Sequence, residues 1–353
     1  MTLARKVEFL RRGEAYGDAG QSVESRETHM SWVFLVNGKV YKLKKPVRFP
    51  YLDFSSIEKR RAACASELLL NRRLAADVYE AVMPLTLLGD RLSVAGVGEI
   101  VDWLVVMRRL DESATLERRL LAGDLAPHAL DPLIGTLARF YRRTARIALS
   151  PALLLSHWQR NLDDNARVLL DPRLPLPTAT VRRIDRVQRR FLRRGAPLLA
   201  ARARSHWIVD GHGDLRPEHI WLTPAVRIID CLEFNRRLRM IDPLDEIAFL
   251  CVECTRLGGA HLAAYIKHRI ARLLPSRIPE PLFAFYHCYR ATLRARLAIA
   301  HLLEPAPRTP AKWPLLARTY LDLALADALR LERMMAQSGS LSGLPTRRRP
   351  CDA

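Results

Sequence analysis

Apolar positions recur with period two in the first third of the chain and with helical spacing further on. Two apolar runs, Ser31–Val36 and Lys39–Lys44, flank Asn37–Gly38. An Asn-Gly pair between such runs predicts a two-residue β-hairpin. On its second strand Val40, Lys42 and Lys44 share one face. Before the hairpin, residues 1–30 predict one short helix, Val7–Arg12, and then a loop. Ser55–Ser56–Ile57–Glu58 has the capping-box pattern and opens a helix predicted to reach Ala75, with Ile57, Cys64 and Leu68 on a common face. Val82–Leu88, Leu92–Val97 and Trp103–Arg108 read as three more strands, giving a sheet of about five. From Leu116 the spacing turns helical: Leu116–Leu121, then Pro132–Ala145 with Leu133, Leu137, Phe140 and Tyr141 on one stripe, then Leu153–Leu170 and Thr180–Arg204. Helices are also predicted over 246–257, 260–274, 280–303 and 311–336.

Between those helices the pattern changes. The apolar run Trp207–Val209 enters a turn holding Gly211 and Gly213, and Asp214 follows at once. Ile220–Leu222, a Thr223–Pro224 turn and Val226–Ile229 then lead to Asp230. This predicts a glycine-bearing loop, a tight hairpin, and a second acid delivered by a strand on which Val226, Ile228 and Asp230 share a face. Two carboxylates on such ends can divide labour, one taking a proton from a hydroxyl and one holding a divalent cation. Two other readings stay open: a transition-metal hydrolase site built from the His and Asp residues, and a structural turn.

Composition narrows the class. With 353 residues the chain can bury a sizeable core as one bilobal unit or two domains. A hydrophobic content of 49% with 27% charged residues is that of a globular protein. No apolar run nears the roughly 18 residues needed to cross a membrane, and Met1–Arg12 is charged without a signal-peptide core, so a cytoplasmic location is expected. Cys64, Cys231, Cys251, Cys254, Cys288 and Cys351 make no framework. The lone Cys-x-x-Cys at Cys251 and Cys254 lacks a second ligand pair and reads as buried thiols on a helix. The net charge of +20 is concentrated in arginine, at Arg182–Arg183, Arg189–Arg190, Arg193–Arg194, Arg202, Arg204 and Arg347–Arg349. Such a field favours polyanions such as ATP, RNA or acidic proteins and opposes a polycationic aminoglycoside unless the site is locally acidic. The plainer alternative is an arginine-rich solvated surface.

The loop and hairpin together resemble the kinase-like aminoglycoside phosphotransferase family. His212–Gly213–Asp214, His219 five residues on and Ile228–Ile229–Asp230 follow that family's order of a His-Gly-Asp loop and a hydrophobic strand ending in a metal-binding Asp. The resemblance implies Asp214 as catalytic base, His212 as a structural residue of the loop and Asp230 as the main Mg²⁺ ligand. Arg216 is a candidate substrate or phosphate contact. Arg216 could equally clamp a nearby carboxylate. His219 stands where the family has Asn, and it is the second candidate metal ligand. The resemblance also implies that Lys42, with Lys44 as alternative, grips the ATP phosphates and pairs with Glu67. It further implies that Arg109–Ser113 is a hinge where adenine docks and that Glu246 supports the loop. The turn Glu27–Ser31 sits where a phosphate-covering loop would lie. It is not glycine-rich, so contacts would come from backbone N–H groups or the Thr28 and Ser31 hydroxyls. The string from His212 to Glu246 is most similar to a bacterial branch in which the phosphotransferase is joined to an ATP-binding P-loop domain. No Gly-x-x-x-x-Gly-Lys-Ser/Thr occurs in this sequence, so that domain is not expected in it.

The expectation is therefore an α+β, protein-kinase-like bilobal fold. A small antiparallel sheet lobe at 1–109 would bind nucleotide, a larger mainly helical lobe at 110–337 would carry the loop, and 338–353 would be a disordered tail. The expected chemistry is transfer of the ATP γ-phosphoryl to a hydroxyl of a small molecule, with ATP and Mg²⁺ as cofactors. The rivals are a pseudokinase or nucleotide-binding regulator without turnover, and an RNA-associated basic protein.

Overall fold

The computed structural model describes residues 1–275, 278–307 and 309–337. The predicted tail at 338–353, with Arg347–Arg349 and Cys351, lies outside them. In chain order the elements run α1 (Leu3–Leu10), β1 (Glu24–Glu27), β2 (Ser31–Val36), β3 (Lys39–Lys44), β4 (Arg48–Phe49), β5 (Leu52–Asp53), α2 (Ile57–Ala75), β6 (Tyr79–Leu88), β7 (Arg91–Val94), β8 (Glu99–Arg108) and α3 (Leu116–Ala122). Then come α4 (Asp131–Arg143), α5 (Pro151–Leu169), α6 (Thr178–Arg194), α7 (Ala196–Arg204), β9 (Val209–Asp210), β10 (Ile220–Trp221), β11 (Arg227–Ile228) and α8 (Arg236–Arg239). β12 (Met240–Ile241), α9 (Pro243–Arg256), α10 (Ala260–Leu273), α11 (Glu280–Ala300) and α12 (Lys312–Gln337) complete the described chain. The fold is mixed α+β, as expected. The contacts divide it into two compact units, one of residues 1–119 with 212–239, the other of 120–211 with the chain from 240 onward.

The first unit is built on a six-stranded antiparallel sheet in the order β1-β2-β3-β8-β6-β7. Asn37 and Gly38 both take positive φ, 45° and 69°, the geometry a two-residue hairpin between right-twisted strands demands. The sixth strand, β1, was not expected. Glu24–Glu27 carries no apolar alternation, and its order comes from pairing with β2. Phe34, Leu43, Leu85 and Leu104 are fully buried with Val7 and Leu10 of α1. Cys64, Tyr79 and Val105 form a separate cluster with α2. The Ser56 hydroxyl caps α2 by accepting from the Lys59 N–H at 3.3 Å. The buried Asp102 carboxylate joins two elements to the sheet, accepting from Lys6 Nζ at 2.7 Å and from Arg60 Nε at 2.7 Å.

The second unit is helical apart from β9 paired antiparallel with β12. The single helix expected over Thr180–Arg204 is two. Gly195 ends α6 and Pro197 opens the first turn of α7. A Cβ on Gly195 would stand 2.7 Å from the Phe191 ring, so the break is also where the chain packs on itself. Cys251 and Cys254 are both buried in α9, and burial pushes the Cys251 thiol up to about 12. Among the described residues no helix is long and apolar enough to cross a membrane.

Candidate functional site

The loop after β9 is held from inside by its own histidine. His212 is 1% exposed, and its Nδ1 accepts the Asp214 N–H at 3.3 Å, which leaves Nε2–H to donate to the Ile229 carbonyl at 2.9 Å. The Leu232 N–H donates to the His212 carbonyl at 3.1 Å. His212 is therefore a strut between the loop and the segment that carries Asp230. Gly213 takes φ +88°, and a Cβ there would meet Leu232 at 3.0 Å and Arg239 at 3.2 Å, so both conformation and space require glycine. In the second unit a Cβ on Gly211 would meet Ile241 at 2.5 Å and Glu246 Oε2 at 3.0 Å. Glu246 is buried there and accepts the Tyr141 hydroxyl at 2.8 Å.

Arg216 ties the loop's charges together. Its Nε lies 3.1 Å from Asp214 Oδ2 and its Nη1 2.8 Å from Glu218 Oε1. Its Nη2 lies 3.1 Å from His219 Nε2. His219 Nδ1 lies 3.0 Å from the Asp214 carbonyl, so the partners assign the proton to Nδ1 and the lone pair to Nε2. Arg216 clamps two nearby carboxylates, Asp214 and Glu218.

The strand expected to deliver Asp230 stops short of it. β11 ends at Ile228, and Asp230 itself takes φ +63°. The alternation that put Val226, Ile228 and Asp230 on one face does not extend to the acid. A left-handed, non-glycine residue costs about 1 kcal/mol or more and persists because neighbours fix it. The Asp230 N–H donates to the Tyr79 hydroxyl at 3.2 Å, and the Cys231 N–H to Asn71 Oδ1 at 2.9 Å. The Asp230 carboxylate is shared. Lys42 Nζ donates to Oδ1 at 2.8 Å, and Oδ2 lies 3.6 Å from His219 Nε2. Burial alone would raise this carboxyl, but Lys42, His219 and Arg216 outweigh it and hold it well below the ordinary carboxylate range.

Lys42 also donates to Glu67 Oε1 at 2.9 Å, so the predicted strand-to-helix pair is present. Lys44 is a second member of the same cluster. It is 1% exposed, donates to Glu67 Oε2 at 2.6 Å, and contacts Glu233. Desolvation disfavours both ammonium groups, yet Asp230, Glu67 and Glu233 hold Lys42 charged, and Glu233 and Glu67 hold Lys44 charged. Glu67 is fully buried. Its desolvation is overcome by Lys42 and Lys44, and its carboxyl is lowered. Burial prevails at Glu233, whose carboxyl is raised. Sequence reasoning missed Glu233. Its only signal is an acid three residues past Asp230, and its partner Lys44 lies 189 residues away in the chain.

Two predictions arise from this cluster. Glu67→Ala leaves two buried ammonium groups with one carboxylate each, Lys42 with Asp230 and Lys44 with Glu233, and is expected to cost about 3 kcal/mol, read as a lower midpoint in urea unfolding. The pH dependence has a definite sign. Asp230 and Glu67 ionise more easily folded than unfolded. Their contribution is therefore present above the unfolded carboxyl values of about 4 and is lost as pH falls below that. The melting temperature should drop on acidification below about pH 4, and less steeply in Asp230→Asn, which lacks one of the two groups.

The turn expected to cover phosphates uses up its threonine. The Thr28 hydroxyl donates to the Ser31 carbonyl at 2.9 Å and accepts the Ser31 N–H at 3.0 Å, and Ser31 is buried. Within the expected hinge, Arg109–Ser113, the Asp111 carbonyl accepts the Trp221 Nε1–H at 2.7 Å. A cleft of about 610 Å³ lies against the β4–β5 hairpin, lined by Arg48, Phe49, Tyr51, Asp53 and Phe234 among others. Phe49 and Tyr51 stack at 5.7 Å and Tyr51 meets Phe234 at 6.1 Å, while Phe49 and Phe234 rest on buried Leu52, Phe54 and Ala63.

No family model matches the chain. An uncharacterized protein of Mycobacterium tuberculosis strain H37Rv and one of Mycobacterium bovis are each 32% identical to it over 297 residues. The match takes in 82% of this chain and 57% of theirs, so the chain spans little more than half the length of these relatives. Among solved structures, a choline/ethanolamine kinase family protein from Mesorhizobium loti aligns over 95% of this chain and 96% of its own, with a TM-score of 0.55 at 14% identity. A thermostable mutant of an aminoglycoside phosphotransferase aligns over 94% and 99%, with a TM-score of 0.52 at 14% identity. Choline kinase from Cryptosporidium parvum aligns over 90% of each chain, with a TM-score of 0.52 at 10% identity. The chain has the protein-kinase-like fold that these phosphotransferases share.

Proposed function

We propose that this protein transfers the γ-phosphoryl group of ATP to a hydroxyl of a small molecule. The observation that carries the reading is Lys42, held at 2.9 Å by a carboxylate of α2 and reaching at 2.8 Å the carboxylate that follows β11. A charged strand lysine so placed is what nucleotide phosphates require. Glu67 keeps it charged and aimed. The wider cluster sets three carboxylates, Glu67, Asp230 and Glu233, against two ammonium groups. Asp230 offers an ionised oxygen donor whose side chain is 43% exposed, and magnesium takes one or two carboxylates plus substrate phosphates, so the donor set fits Mg²⁺. When bound, Mg²⁺ would neutralise charge on the phosphate oxygens and orient them. His219 would join Asp230 as a ligand only where Arg216 releases Nε2.

Asp214 takes the proton of the acceptor hydroxyl at its carboxylate. Arg216 Nε, at 3.1 Å, orients that carboxylate. Phe234 lies four residues past Asp230, and its cleft has the volume of a small-molecule site. It is the proposed acceptor pocket. Phe234→Ala is expected to raise the acceptor KM about tenfold and leave ATP affinity within about twofold.

The test is phosphorus NMR of the protein with ATP, Mg²⁺ and a panel of hydroxylated small molecules. The expected result is a phosphomonoester signal growing with ADP for at least one acceptor. ATP bound but unchanged with every acceptor would support the second reading, a nucleotide-binding regulator. That reading is favoured by His219, whose two ring nitrogens are already engaged.

A further inference from the structure

The outer face of α6 carries seven arginines and no lysine within Thr178–Arg194. Its inner face, Val181, Ile184, Val187, Gln188, Phe191 and Leu192, is buried. Two of the arginines at the flanks are neutralised: Arg183 by Glu332 at 2.9 Å, and Arg189 by Asp185 at 2.9 Å and Asp163 at 2.7 Å. The other five differ. Arg182, Arg186, Arg190, Arg193 and Arg194 are exposed, and none has a hydrogen-bond or ion-pair partner among the described residues. Arg182, Arg186, Arg190 and Arg194 repeat at i, i+4, so they form one ridge about 18 Å long. Three like-charge i, i+4 pairs in succession each weaken the helix by a few tenths of a kcal/mol. The ridge is an unneutralised row where its flanks show how readily neighbouring acids could have been placed.

We propose that this ridge binds the phosphate backbone of RNA without reading its bases. Guanidinium groups suit phosphate through paired N–H donors, and the five unpartnered arginines can each meet one phosphate along a single strand. The exposed ridge offers no aromatic ring for a base to stack on, so contact stops at the backbone. A membrane surface is disfavoured, because the helix spends its apolar face on the protein core and has none left to enter lipid.

The test uses the full chain and a fluorescent 20-nucleotide poly-uridine RNA, with affinity measured across salt. Five backbone contacts predict a slope of log K on log salt of about −3.5. Arg182→Gln/Arg186→Gln/Arg190→Gln should bring the slope to about −1.4, whereas Arg139→Gln/Arg142→Gln/Arg143→Gln on α4 should leave it near the wild-type value. Single-stranded DNA of equal length should bind within about twofold of RNA, since only phosphates are read. ATP affinity should be the same in the wild type and the α6 variant, which separates this surface from the nucleotide site. An unchanged slope in the α6 variant, or an equal loss in the α4 variant, would overturn the proposal. So would binding confined to anionic vesicles of phosphatidylserine.

Discussion

Asp214→Asn is expected to lower kcat for phosphoryl transfer by about 10³-fold while ATP affinity stays within about twofold. The amide is the same size as the carboxylate and its oxygen can still accept from Arg216 Nε, now at 3.1 Å from Asp214 Oδ2. The loop should therefore keep its shape. What the amide cannot do is take a proton from the acceptor hydroxyl. The nucleotide side should be unaffected, because Lys42 is held by Glu67 and Asp230 and not by Asp214. Arg216→Ala should show a smaller loss, since it frees a carboxylate without removing it. Turnover that is unchanged in Asp214→Asn would remove the proposed base.

Asp230→Asn should abolish the Mg²⁺-dependent part of ATP binding, a weakening of about 100-fold or more in the presence of the metal. The substitution replaces the one carboxylate that is ionised, partly exposed and faced by both Lys42 and His219. Lys42 keeps Glu67 at 2.9 Å, so the sheet and α2 should remain joined. Near-wild-type circular dichroism at pH 7 would show that the loss belongs to the site and not to unfolding. Equal ATP affinity in the two proteins, with Mg²⁺ present, would assign the metal elsewhere.

Local signals were the legible ones. Asn37–Gly38 between two apolar runs and Ser56 ahead of Ile57 each state a backbone geometry within a few residues, and β2, β3 and α2 follow them. The pairing of Lys42 with Glu67 was legible through a family resemblance, since the residues are 25 positions apart and no short-range pattern links them. What failed was decided by distant partners. Glu24–Glu27 is a strand because β2 offers an edge, not because its own sequence alternates. Gly195 breaks a helix whose arginine-rich periodicity runs on past it. Asp230 leaves the strand because Tyr79 and Asn71, from β6 and α2, fix the backbone around it. Glu233 was invisible as a member of the lysine cluster for the same reason. The roles of Arg216 and His219 in binding each other depend on side-chain directions in a loop that periodicity does not describe.

Lys42, Glu67 and Asp230 are the residues proposed to form a metal-dependent nucleotide site. Calorimetric titration of ATP into the wild-type protein, once with Mg²⁺ and once with a chelator, tests it most directly. The expected result is saturable one-to-one binding with Mg²⁺ at a dissociation constant on the order of 1 µM to 1 mM, weakened at least about tenfold by the chelator. No heat of binding in either titration, or the same affinity in both, would contradict it.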